Sequence, residues 1–328
     1  MSASGRGSSP GKPIAADRSR RFSADFLFHK AAVFAAFLAA ATLFATVVAI
    51  AADSWPAIRA FGIWRFIVSS EWNPVTQTFG AFPFIIGTLV SSALAMLLAV
   101  PVSFGIAVFI AEIAPPWIKK PVAGAVELLA AIPSIVYGLW GLLVFAPMFG
   151  NIEPWINGHL GAIAGIGLLF QGPPMGIGML TAGIVLAIMI LPYISSIMRD
   201  VFMVVPSSLR ESGYAMGATT WEVAWQIILP YTRSAVIGGV FLGLGRALGE
   251  TMAVTFVIGN SNVLSSSLLM PGTTIASVLA NEFTEATTAL YRSSLIYLGL
   301  ILIAVTLAVR FLAVFLVRRV GRREGARA

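Results

Sequence analysis

The chain has 328 residues, 58% of them hydrophobic and only 11% charged, with a formal net charge of +7 and a mean hydropathy of +0.90. Soluble domains are about half apolar and about a quarter charged, so this composition belongs to an integral membrane protein. The absence of cysteine excludes disulfides, thiolate metal sites and cysteine nucleophiles, and His29 and His159 stand too isolated to make a histidine metal site.

Residues 1–30 are rich in Ser, Gly, Pro and basic side chains and are expected to form a disordered tail. The stretch 31–52 follows as the first membrane anchor. "SRRF" at 19–22 resembles a twin-arginine export signal and "AIA" at 49–51 a cleavage site, but the apolar run between them exceeds the about 7–15 residues of a signal peptide. Residues 53–80 form a polar interruption. The core, 81–317, holds five more apolar runs near the about 20 residues that cross a bilayer, at 81–111, 122–149, 175–197, 234–258 and 293–317. A basic tail, 318–328, closes the chain.

Six spans put sixteen lysines and arginines on one side: six in the N-terminal tail, Lys119 and Lys120, Arg199, Arg210 and Arg233, and five in the C-terminal tail. Only Arg59, Arg65 and Arg292 fall opposite. Both termini are therefore expected in the cytoplasm, with 53–80 periplasmic. The net charge then reports topology and needs no nucleic-acid partner.

Within span three, Pro133 is expected to kink the helix. Ser134 and Tyr137 beside it could line a passage, or the proline could be a packing kink. Glu127 lies near the cytoplasmic end of that span and receives no role. Between spans four and five, "VPSSLRESGYAMGATTWEVAWQIILP" (205–230) is too polar to insert and not turn-like. Ser208 and Glu211 have the spacing of a capping box, Gly217 sits where a left-handed helix end is expected, Thr219 and Glu222 form a second box, and Pro230 closes the segment. This predicts two short helices joined at a glycine. They could lie in the interface on Trp221 and Trp225, or serve as a rigid handle for a soluble partner.

In span five, "GLGRALGETMAV" (243–254) places Arg246 and Glu250 four residues apart in an apolar run. Each mid-membrane charge costs about 2.5–3.5 kcal/mol, so both are expected to face the bundle interior or a watered path. On a continuous helix they share one face. Gly245 and Gly249 would let another helix approach closely. Arg246 suits a phosphate path, since guanidinium is permanently charged and binds phosphate oxygens with a fork. Glu250 would compete for it and keep it from trapping the anion; a purely structural ion pair is the other reading. On the outer side, Trp72 and Glu282 are exposed groups of the kind used in docking, or an interfacial anchor and an ordinary solvated charge.

The loop resembles the cytoplasmic signature of ABC importer permeases: E-A-A, three residues, G, nine residues, I-x-L-P. Glu211, Gly217, Ile227, Leu229 and Pro230 fall at those spacings, while Ser212 and Gly213 replace the alanines. "AEIAP" (111–115), "AIPSIVYGLWG" (131–141), "LPYISSIMRDVF" (191–202), "GRALGETMAV" (245–254) and "LANEFTEA" (279–286) resemble the phosphate-specific permeases of that family, the GETMAV form being that of PstC-type subunits. The resemblance covers about residues 70–317. It implies an all-α type I ABC importer permease fold in the bacterial inner membrane, and a role in moving inorganic phosphate from a periplasmic binding protein to the cytoplasm. It further implies three partners: a second, PstA-type permease, a dimer of PstB-type ATPase subunits and a PstS-type phosphate-binding protein. Arg246 and Glu250 are implied in transport, with Glu211, Ser212, Gly213 and Gly217 in ATPase coupling. The chain lacks a G-x-x-x-x-G-K-[ST] loop, so the motor is expected on the ATPase partner, which uses ATP and magnesium. With no nucleophile–base pair or metal cluster in the sequence, this chain is expected to be no enzyme and to carry no cofactor of its own. Sulfate, molybdate or phosphonate is an alternative cargo, and a proton-coupled secondary transporter working through Glu250 or Glu127 is an alternative machine.

Overall fold

The computed structural model describes residues 15–325. α1 (Ala15–Asp53) is one uninterrupted run of 39 residues. It contains neither glycine nor proline, so nothing opens its hydrogen-bond ladder. The expected disordered tail is therefore helical from Ala15 on, and residues 1–14 of it lie outside the described residues. Thr42 and Thr46 each donate at 2.9 Å to a carbonyl one turn back, which keeps the hydroxyls from facing lipid unpaired.

Asp53 begins a second compact unit. Two short helices, α2 (Trp55–Phe61) and α3 (Ile63–Val68), lead into an antiparallel hairpin of β1 (Trp72–Asn73) and β2 (Thr78–Phe79), with Trp72 opposite Phe79. The hairpin is a local exception to an otherwise helical architecture. α4 (Phe82–Val108) runs through a π-helical turn (Phe109–Ile113), and the two together make one span of 32 residues. α5 (Pro116–Ala131) and α6 (Ser134–Trp140) follow; a second π turn (Gly141–Phe145) joins α6 to α7 (Ala146–Gly150). After α8 (Glu153–Leu160) come α9 (Met179–Met203) and the exposed α10 (Ser207–Ala215). α11 (Thr220–Glu222), a third π turn (Val223–Ile228) and α12 (Leu229–Leu248) form one continuous span. α13 (Met252–Val257), α14 (Ile275–Glu282) and α15 (Ala289–Gly325) complete the chain.

Among the described residues, five helices are long and apolar enough to cross a bilayer, and α5 with the 134–150 run supplies a sixth span when that bent pair is counted as one. The centre is the packing of α4 on α9. α4 turns a stripe of small residues inward (Ser92, Ala95, Ala99, Ser103, Ala107), spaced three or four apart, and α9 fills the gap with Leu186, Met189, Ile190 and Ile194. Small residues let two helices approach closely where lipid supplies no hydrophobic drive. Ser103 Oγ donates to the Leu191 carbonyl at 3.0 Å, tying the two together. A second, aromatic cluster of Phe66, Trp72, Phe79, Phe84, Tyr291 and Tyr297 joins the 57–84 region to α14 and α15.

Candidate functional site

The fifth apolar run does not form one helix. α12 ends at Leu248, residues 249–251 are non-helical, and α13 begins at Met252. Arg246 and Glu250 therefore do not share a helix face, and among the described residues no ion pair joins them. The expected i, i+4 pair is corrected: the run is mostly apolar and free of proline, but Gly249 (φ −95°, ψ 3°) leaves the helical region and the ladder stops there. Each charge instead answers a helix end. Arg246 lies in the last turn of α12, where unpaired carbonyls carry partial negative charge. Glu250 lies just before α13 and its Oε1 accepts from the Ala253 N–H at 3.3 Å, where free N–H groups carry partial positive charge. The Arg246 guanidinium sits 5.3 Å over the Tyr193 ring of α9, a cation–π contact. Both Arg246 and Glu250 are half-buried.

The third run is broken too. Pro133, extended at φ −57° and ψ 137°, starts α6 anew, and α5 meets the 134–150 run at 88°. The expected kink is a full break. Tyr137 is buried, and its hydroxyl donates back across the break to the Leu129 carbonyl at 2.9 Å. Half-buried Ser134 lies one turn from Tyr137 on α6. α6 packs on α13 at Gly138, where a Cβ would lie 2.8 Å from Phe256 Cδ2 and 3.0 Å from Ala253 Cα. The two broken spans thus adjoin.

The polar loop is helical as expected, with two differences. Pro206 caps α10, so the helix begins at Ser207 and Ser208 lies inside it; the Ser208–Glu211 box does not form, and the Ser208 carbonyl accepts from Ser212 Oγ at 2.7 Å. Pro230 does not close the segment. It lies in the first turn of α12, and the π turn before it loosens the ladder where proline has no N–H to give. Gly217 is left-handed (φ +85°), as its position predicts, and the Thr219–Glu222 box is complete. Glu211 and Ser212 are exposed. Gly213 is buried, and a Cβ there would lie 2.4 Å from Ile227 Cδ1, so the glycine seats α10 closely on the third π turn.

Two clusters at this end escape a reading of the sequence alone. Arg210 of α10 faces Glu112 of the first π turn at 3.3 Å and donates to the Phe202 carbonyl of α9. Arg199 bridges Glu127 (2.9 Å) and Asp200 (2.7 Å) beside a cavity of about 430 Å³ that also meets Lys119 and Lys120. Glu127, to which the sequence assigns no role, is thus an ion-pair partner. The signal for both was a charge at the edge of an apolar run; the partner was not legible.

At the opposite end Trp72 is buried, not exposed. Its Nε1 donates to Glu282 Oε2 at 2.7 Å, the Tyr291 hydroxyl to the same oxygen at 2.6 Å, and Asn262 Nδ2 to Oε1 at 3.1 Å. Three donors on one half-buried carboxylate make it an internal clasp. The expectation of two exposed docking groups is corrected accordingly.

Spans broken beside an intramembrane arginine, and a short polar helix offered outside the bundle, describe a transport subunit. Residues 103–322 match the model of the binding-protein-dependent transport system inner membrane component family, and the chain belongs to that family. It is a permease subunit of an ABC transporter, with ATP hydrolysis on a separate subunit. The phosphate transport system permease protein PstC of Xylella fastidiosa is 61% identical over 261 residues, 79% of this chain and 80% of its own length. That of Pasteurella multocida is 49% identical over 302 residues, 92% and 94% of the two chains. Among solved structures, a bacterial alginate ABC transporter, in complex with its alginate pentasaccharide-bound periplasmic protein, superposes with a TM-score of 0.62. It is 17% identical, covers 92% of this chain and 97% of its own, and establishes the type I importer permease fold.

Proposed function

We propose that this chain is the membrane-spanning subunit of an ATP-driven importer that moves inorganic phosphate from a periplasmic binding protein to the cytoplasm. The phosphate-permease names of relatives at 61% and 49% identity support the cargo. The carrying observation is Arg246 at the α12 break, held by an aromatic face and a helix end and not by a carboxylate. An arginine so held keeps its charge and its fork for phosphate oxygens. Tyr137 and Ser134 line the path or its gate from the second break. Glu250 places a negative charge on the far side of the first, which limits how tightly an anion is retained.

α10 is the ATPase contact, with Glu211 and Ser212 on its open face, Gly213 seating it on the span below and Gly217 ending it. The ATPase is a PstB-type dimer that uses ATP and magnesium, and the second permease is PstA-type. The PstS-type binding protein docks on the outer groove of about 950 Å³ between the 72–79 hairpin and residues 262–264, which the Trp72–Glu282 clasp holds in shape from beneath. Both termini lie in the cytoplasm, on the side of the sixteen basic residues.

Labelled phosphate uptake by Arg246→Gln, in cells carrying the whole complex, tests this. Removing a charge-assisted hydrogen bond from the path lowers uptake by about 10–100-fold at unchanged membrane abundance. Wild-type uptake in that variant removes Arg246 from the path, and joint loss of uptake and protein makes it a strut of the bundle.

A further inference from the structure

Within α10 only two side-chain positions, Arg210 and Gly213, are withdrawn from the surface. Gly213 rests on Ile227 and Val223, the entry to α12. Arg210 reaches the other way, to Glu112 at the end of α4 and to the Phe202 carbonyl at the end of α9. The Glu112 side chain is 5% exposed and that of Arg210 21%. A carboxylate this deep is costly without a cation, so the pair is not an incidental surface contact.

The engagement is incomplete. At 3.3 Å the charges attract, yet Glu112 Oε1 has no hydrogen-bond donor and Arg210 Nε no acceptor among the described residues. Buried polar groups are ordinarily paired, so these two orphaned atoms leave a tighter arrangement of the same two side chains available. Glu112 sits on a π turn, whose looser ladder can reset by one residue and re-aim the side chain.

We propose that the Arg210–Glu112 pair transmits movement of α10 to α4, slack in the state described here and fully hydrogen-bonded when α10 is driven toward the bundle. It rests on the reading of α10 as the ATPase contact. Gly213 carries the push into α12 and its Arg246 end, while Arg210 carries it into the α4–α9 core, so the two halves of the bundle move together. Arg210 and Glu112 are positioning residues: neither touches the cargo path.

The native chain has no cysteine, so a nitroxide on Leu97→Cys, at an exposed position of α4, reports that helix specifically. The assembled complex, with partner cysteines removed, is placed in liposomes with and without vanadate-trapped nucleotide. Trapping is expected to change the label's lipid accessibility when Glu112 is present and to leave it unchanged in E112Q, in which phosphate moved per ATP falls by about tenfold. A response in E112Q as large as in the parent, or none in the parent, overturns the proposal. Should E112Q fail to assemble, R210K, which keeps the charge but not the fork that spans Glu112 and Phe202, is read by the same two outcomes. Phosphate uptake by the unlabelled wild-type vesicles is measured alongside; its absence would count against the cargo and leave the α4 response to be judged separately.

Discussion

The chain breaks two of its apolar runs, by different chemistry. At Pro133 the break is imposed covalently: proline cannot donate to the ladder, the chain turns through 88°, and the Tyr137 hydroxyl clamps the corner to the Leu129 carbonyl. At Gly249 nothing forbids a helix. There the break is held by charges at the two new helix ends, Arg246 behind and Glu250 ahead. The first is a covalent corner and the second an electrostatic joint. The joint lies against the corner at the tight Gly138 contact.

Filling that contact is expected to do the most damage. Gly138→Ala forces a methyl against Phe256 and the Ala253 backbone, a cost of about 2 kcal/mol; a lower apparent melting temperature and reduced membrane abundance are the readout, and unchanged values would mean the two breaks are not in close contact. Tyr137→Phe removes the clamp and leaves a carbonyl unpaired, for about 1 kcal/mol, again as a drop in melting temperature. Glu250→Gln touches only the joint, by about 0.5 kcal/mol. It is expected to leave thermal stability nearly unchanged while shifting uptake to saturate at lower phosphate concentration; a stability loss equal to that of Tyr137→Phe would erase the distinction between corner and joint.

Hydropathy located the spans, because length and apolarity are what a bilayer demands. It located Pro133 as a disruption because proline acts through its own ring. It could not locate the Gly249 break: residues 234–258 carry no proline and stay mostly apolar, and extending one helical period through them put Arg246 and Glu250 on one face. The left-handed Gly217 was legible from its place after a helix, whereas the Ser208 box was not, since Pro206 starts the helix a residue early. Of the candidate site residues, Arg246, Tyr137 and Ser134 could be singled out from charge and hydroxyls in an apolar setting. Tyr193 and the Glu112–Arg210 contact needed tertiary structure, because their partners lie far along the chain. Trp72 failed for the converse reason: a tryptophan in a polar stretch looks exposed until the carboxylate that receives its N–H is found 210 residues away.

The seating of α10 on Arg210 and Gly213 has a mechanical corollary. Besides its chain connections at Pro206 and Gly217, the helix is seated by only these two side-chain positions, one on each half of the bundle. Everything else on it faces outward, Glu211 and Ser212 included, so a partner can grip α10 without disturbing either seat. The helix is thus built as a shared component, with its inner points given to this subunit and its open face left to an assembled machine.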